Sequence, residues 1–242
     1  MNCWSIAEQV GDASPDGVQH LLARASWDQD GVAGDLREYV VEHLGADDGV
    51  LVVDETGDIK KGTATVGVQR QYSGTAGRAE NCQVAIYLVY ASERGHAFID
   101  RELYLPRSWT DDPARCAAAG VPDDTGFATK PALAQQMIAA ALDAGTPCWW
   151  VAGDEVYGNA PKLRAHLIER GIGYVLAVAK DHRITTGTGT HKAEQLAVRL
   201  PKRSWRRLSA GPGAEGQRLY DWAWIETTDP AVAGEARAPG QH

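Results

Sequence analysis

Cysteine is sparse in this 242-residue sequence: Cys3, Cys82, Cys116 and Cys148 are scattered with no C-x-x-C pair, so neither a disulfide framework nor a zinc knuckle is indicated. Long apolar runs are missing too. Nothing approaches the roughly 20 residues that cross a bilayer, and Met1-Asn2-Cys3-Trp4-Ser5 lacks the basic start and apolar stretch of a secretory leader. These absences give the expectation of a soluble, cytoplasmic protein with reduced thiols and no membrane partner. Basic charge is in deficit, with 24 Lys+Arg against 32 Asp+Glu and a formal net charge of -8, which argues against attraction to nucleic acid over the whole surface. There is no G-x-S-x-G, and none of the seven histidines falls into H-x-x-x-H spacing. Gly187-Thr188-Gly189-Thr190 lacks the lysine of a phosphate-cradling loop. Hydrolase triads, zinc proteases and P-loop enzymes are therefore poor fits.

The 44% of hydrophobic residues is enough for a real core, and the length suits one large domain or one domain carrying an insertion. Residues 1 to about 45 read as helices, with Ser14-Pro15-Asp16 as a start signal and a second helix from Asp35 closed by Gly45. Val50-Leu51-Val52-Val53 reads as a strand buried on both faces and ending at Asp54. Thr65–Tyr72 and Gln83–Tyr90, separated by Gly74 and Gly77, predict a hairpin leaning on that strand, and Ala97–Leu105 a further strand. Residues 108–130 read as a loop with one short helix. A helix opened by Pro131, a strand Cys148–Ala152, a helix Pro161–Arg170 and a strand Tyr174–Val178 follow. This order predicts a mixed α/β (α+β) fold with a mixed sheet. Beyond Lys180 the pattern is irregular: Thr185–Thr190 reads as a flexible loop, Leu219–Glu226 as a strand, and Thr227–His242 as a frayed tail.

The feature that points to chemistry is a matched pair, Val52-Val53-Asp54-Glu55-Thr56-Gly57 and Ala152-Gly153-Asp154-Glu155-Val156-Tyr157-Gly158. Each puts an aspartate at the end of a buried strand, with a second acid and a glycine behind it. If those strands are parallel neighbours, the carboxylates meet at the crevice where open α/β sheets bind ligands. Two facing carboxylates repel unless a proton or cation lies between them, and hard oxygen ligands suit Mg²⁺. The competing reading is that aspartates at strand ends form Asx turns. Lys60-Lys61 lies a few residues past Asp54 and could meet phosphates at the mouth of that site, or form a solvated hairpin tip. Arg199, Lys202, Arg203, Arg206 and Arg207 surround Trp205, a set able to track a phosphate backbone while the ring stacks on a base; the alternative is a solvated loop with the tryptophan tucked into the core.

Residues 51–62, Gly67–Gly77, Ala152–Gly158 and Pro201–Gly211 with Tyr220-Asp221-Trp222 resemble the bacterial insertion-sequence transposases of the DDE superfamily, most closely the insertion sequence seven-zero-one branch. The resemblance implies an RNase H-like core with a five-stranded mixed sheet. Asp54 would lie on the first strand and Asp154 after the fourth, as the first two catalytic aspartates and ligands of two Mg²⁺ ions, with Mn²⁺ as a substitute. It implies segments at 1–46 (N-terminal helices), 47–180 (catalytic core) and 181–242 (β-rich insertion and tail). The implied partners are DNA, both transposon ends and target, and further copies of the protein. Water would attack first and the DNA 3′ hydroxyl second, with Lys60, Lys61 and the Arg199–Arg207 patch on phosphates.

The sequence departs from the family at both ends, its start resembling the middle of the family's N-terminal helical region. The third acid of such sites is a glutamate on a helix beyond the insertion, and no matching segment occurs before His242. Glu226 ends a strand-like pattern rather than sitting on a helix. The expectation is a fragment with little strand-transfer activity alone and one sheet face left uncovered. A non-catalytic DNA-binding remnant and an unrelated Mg²⁺ phosphohydrolase are the alternatives.

Overall fold

A computed structural model describes residues 2–74, 76–213 and 216–228. The chain opens with three helices, α1 (Cys3–Val10), α2 (Asp16–Ala23) and α3 (Gln29–Leu44). The last starts earlier than periodicity suggests because the Asp28 carboxylate caps it, accepting from the backbone N–H groups of Asp30 and Gly31. Next come β1 (Val50–Ile59), β2 (Gln69–Ser73), β3 (Arg78–Ser92) and β4 (Gly95–Leu103). Two short helices, α4 (Arg107–Thr110) and α5 (Pro113–Ala118), occupy the stretch where one was expected. The α/β part then runs α6 (Lys130–Asp143), β5 (Trp150–Gly153), α7 (Glu155–Gly158), α8 (Pro161–Glu169) and β6 (Gly173–Leu176).

The main sheet has the order β2-β3-β1-β5-β6, with β4 also paired to β3. β1 is antiparallel to β3 and parallel to β5, and β5 is parallel to β6, so the sheet is mixed as expected. It holds six strands rather than five, because β2 and β4 pair with successive stretches of the long β3. Asp154 accordingly follows the fifth strand in chain order.

β1 corrects two further expectations. It does not end at Asp54 but continues to Ile59, held by antiparallel pairing as far as Ile59 opposite Cys82. Nor is it buried on both faces: Leu51 and Val53 are fully buried while Val50 and Val52 are only half-covered. The same alternation runs along β3, where Val84, Ile86, Leu88 and Tyr90 face the core. Val40 of α3, Met137 and Ile138 of α6, and Leu163 and Leu167 of α8 complete that core on one side of the sheet. The opposite face keeps an open groove lined by Val52, Asp54, Thr56, Tyr87, Val89 and Phe98, the last 59% exposed.

Beyond Lys180 two small antiparallel sheets form, β7 (Arg183–Thr186) with β8 (Gly189–Lys192) and β9 (Arg206–Gly213) with β10 (Gly216–Trp222). Between them lie α9 (Ala193–Arg199) and a single 3-10 turn at Lys202–Ser204. The threonine-glycine tract is thus a hairpin rather than a flexible loop. Gly189, at φ 113°, supplies the positive φ of its turn, and the Thr185 and Thr190 hydroxyls meet across it at 3.0 Å. The expected frayed tail from Thr227 lies outside the described residues except for Thr227 and Thr228.

All four cysteines are free; Cys82 and Cys148 are buried, Cys3 and Cys116 half-buried. Burial pushes the Cys148 thiol up to about 11. At pH 8 Cys148 therefore stays protonated as well as shielded, and iodoacetamide is expected to label Cys3 and Cys116 well before it. Mass spectrometry of time-resolved alkylation checks this, and equal labelling of Cys148 and Cys3 would contradict the packing described.

Candidate active site

The parallel pairing of β1 with β5 runs Val50 to Trp150, Leu51 to Val151, Val52 to Ala152 and Val53 to Gly153, and then stops. Asp54 and Asp154 are the next residue on each chain. Equal register therefore brings the two aspartates to the same end of neighbouring strands, each one residue past the last pair. Above that point the strands part: β1 runs on against β3, whereas the chain after β5 turns into α7. The closeness of β5 to its neighbours depends on Gly153, where a Cβ would lie 3.0 Å from Val53 Cγ1 and 3.2 Å from Leu176 Cδ2. Gly158 at the end of α7 is more constrained still, since a Cβ there would lie 1.7 Å from the Ala177 carbonyl oxygen.

Both carboxylates are exposed, and each has one oxygen held by a nearby backbone N–H. Asp54 Oδ1 accepts from Glu55 at 2.8 Å. Asp154 is the N-cap of α7 and accepts from Val156 at 2.9 Å. The Asp154 carboxyl is held above the ordinary carboxylate range, first by partial burial and then by the negative charges of Glu55 and Asp54. A cation between the aspartates would relieve that repulsion, and two exposed carboxylates with room for water are a suitable donor set for a hard divalent ion. Among the described residues no group of three or more His, Cys, Asp or Glu side chains has metal-binding spacing. Glu226 is exposed, in irregular chain beyond β10 rather than on a helix.

A family model described as DDE superfamily endonuclease matches residues 3–207. The chain belongs to that family. It is also 29% identical over 234 residues to the probable transposase for insertion sequence element IS701 from Microchaete diplosiphon, an alignment covering 93% of this chain and 58% of that protein. The chain thus spans 58% of the length of the curated relative it matches. In this DDE superfamily member no helix among the described residues is long and apolar enough to cross a membrane.

The other residues singled out from sequence are dispersed. Lys60 and Lys61 follow the end of β1, six and seven residues beyond Asp54, or about 20 Å along the strand at 3.3 Å per residue. They are not at the mouth of the aspartate pair, because β1 is longer than its apolar run. The Lys60 ammonium is ion-paired with Asp58, while Lys61 is exposed. Their loop is fastened from beneath: Asn81 Nδ2 donates to the carbonyls of Lys60 at 2.7 Å and Gly62 at 2.9 Å, and Arg115 donates to that of Thr63 at 2.9 Å. Arg199 ends α9, Lys202 and Arg203 lie on the 3-10 turn, and Arg206 and Arg207 open β9, all five exposed. Trp205 is only partly tucked in. It lines an apolar pocket with Leu196, Leu200 and Trp224, yet keeps 36% of its surface exposed.

Sequence reasoning missed one group at the site. Glu55 points to the core side of β1, where Lys130 Nζ donates to Oε1 and Tyr157 Oη donates to Oε2, both at 2.7 Å. Glu55 was visible only as a second acid in its motif. Its partners lie 75 and 102 residues away, beyond the reach of any local pattern.

Proposed function

We propose that this chain carries the central part of an insertion-sequence transposase, which cleaves DNA strands with divalent metal ions and joins the freed 3′ end to target DNA. What supports this reading is the equal register of β1 and β5, which ends one residue before both Asp54 and Asp154. In this reading the two aspartates hold the metal, Mg²⁺ or Mn²⁺. The bound metal supplies activation of the attacking oxygen and stabilisation of the leaving one. The chain's own residues fix where that happens: the β1–β5 register sets the spacing of the carboxylates, and the N-cap role of Asp154 orients one of them. Among the described residues no third His, Cys, Asp or Glu side chain joins the pair. Residues 1–46 form a helical segment, 47–180 the catalytic core and 181–242 a β-rich insertion and tail.

DNA is held by phosphate contacts from Lys60, Lys61, Arg199, Lys202, Arg203, Arg206 and Arg207, and Trp205 offers its exposed part to a base. These local cations act against a net charge of -8, so binding is patch-like and salt-sensitive. Replacing Arg206 and Arg207 by alanine is expected to weaken binding to any duplex and to lower the slope of log K against log salt by about one per arginine removed. Fluorescence anisotropy over a salt series measures it; an unchanged slope removes those residues from the interface.

The test of the whole reading is nicking of supercoiled plasmid carrying transposon ends in Mg²⁺ and Mn²⁺, by this chain and by one extended past His242. Cleavage by the extended chain supports it. DNA binding with no metal-dependent nicking from either would favour a non-catalytic DNA-binding protein, and indifference to DNA a phosphohydrolase of small substrates.

A further inference from the structure

We infer that Glu55, Tyr157 and Lys130 form a positioning clamp that sets the spacing of Asp54 and Asp154, so that the divalent ion's affinity depends on residues that do not touch it. The inference rests on the metal reading of the aspartates. Glu55 follows Asp54 on β1, and Tyr157 is three residues past Asp154, within α7. The bond from Tyr157 Oη to Glu55 Oε2 thus joins the two aspartate-bearing segments directly, beyond the point where the parallel pairing ends at Val53 and Gly153. Among the described residues, the backbone hydrogen bonds between β1 and β5 end one residue before the aspartates, so this side-chain bond extends the tie past that point.

Both oxygens of Glu55 are occupied, one by Lys130 and one by Tyr157, so it is spent as a clamp rather than offered as a ligand. The side chains of Glu55 and Lys130 are only 18% and 22% exposed, and Tyr157 is fully buried. A near-buried ion pair is a poor source of net stability but a good one of fixed geometry. Local rules are broken to place it. Lys130 is the first residue of α6 after its cap Thr129, where a cation opposes the helix dipole. Departures of this kind concentrate where geometry serves function.

The test is Mn²⁺ titration, with free ion followed by electron paramagnetic resonance, on the full chain and on Tyr157→Phe, Leu163→Ala and Asp54→Asn. Tyr157→Phe deletes only the hydroxyl. Leu163→Ala, in the core face of α8 and outside the clamp's hydrogen bonds, controls for general destabilisation. Circular dichroism checks folding, and amide exchange reports on α7. Tyr157→Phe is expected to weaken Mn²⁺ binding by about 10–100-fold, the usual effect of losing an outer-shell partner, and to speed exchange at α7, with Leu163→Ala near wild type in affinity. Wild-type affinity in Tyr157→Phe, or an equal loss in Leu163→Ala, would overturn the clamp. Affinity that Asp54→Asn leaves unchanged would show instead that the aspartates are not the metal site, and the inference would fall with that reading.

Discussion

Asp54→Asn and Asp154→Asn are each expected to lower metal-dependent plasmid cleavage by on the order of 10³-fold, in whichever length of chain supports cleavage. The exchange keeps the size of the side chain and its backbone hydrogen bond, and asparagine is as good an N-cap as aspartate, so α7 should still form. What is lost is one negative oxygen facing the metal. Several kcal/mol of charge stabilisation in the transition state depend on that ion, and about 4 kcal/mol corresponds to a factor of about 10³. Single-turnover nicking rates, measured at saturating Mg²⁺ and again at saturating Mn²⁺, check this. Rates within tenfold of the unsubstituted chain would remove both residues from the catalytic machinery.

The second large effect concerns stability. Lys130→Met removes the cation from Glu55 while keeping most of the aliphatic stem, and leaves a carboxylate only 18% exposed facing the buried Tyr157. Breaking one side of such a pair costs roughly 3 kcal/mol, because the remaining charge is uncompensated. The opposing gain, from removing a cation at the start of α6, is only about 0.3–1 kcal/mol, so loss dominates. The double variant Lys130→Met with Glu55→Gln should recover much of the deficit, since no lone charge remains. Urea unfolding of the two variants distinguishes the cases. A single variant within about 0.5 kcal/mol of the parent, the scale of ordinary surface substitutions, would show that the pair is solvated and not part of a fixed site.

Much of the fold was legible because its apolar runs are short and well punctuated. Val50–Val53, Cys148–Ala152 and Tyr174–Val178 each flag a strand of the parallel part, and Pro131 and Pro161 flag the helices that pack on it. The aspartate pair was legible for the same reason, since each aspartate directly follows such a run. The length of β1 was not. Residues 54–59 are polar and carry no apolar signal, yet the antiparallel partner β3 holds them in the sheet, and tertiary pairing outweighs weak β-propensity. That one misreading displaced Lys60 and Lys61 from the mouth of the site. The threonine-glycine hairpin was hidden in the same way, by composition that reads equally as loop. The clamp could not be read at all, because Glu55, Lys130 and Tyr157 meet only once the sheet has formed.

The most direct test of the central claim, that Asp54 and Asp154 hold one divalent ion between them, needs no turnover. Fe²⁺ in place of Mg²⁺, with ascorbate and peroxide, generates radicals that cut the backbone beside the bound ion. Two cuts are expected, near residues 54 and 154, both suppressed by excess Mg²⁺ and both lost in Asp54→Asn. A single cut, or cuts clustered elsewhere in the chain, would contradict the shared site.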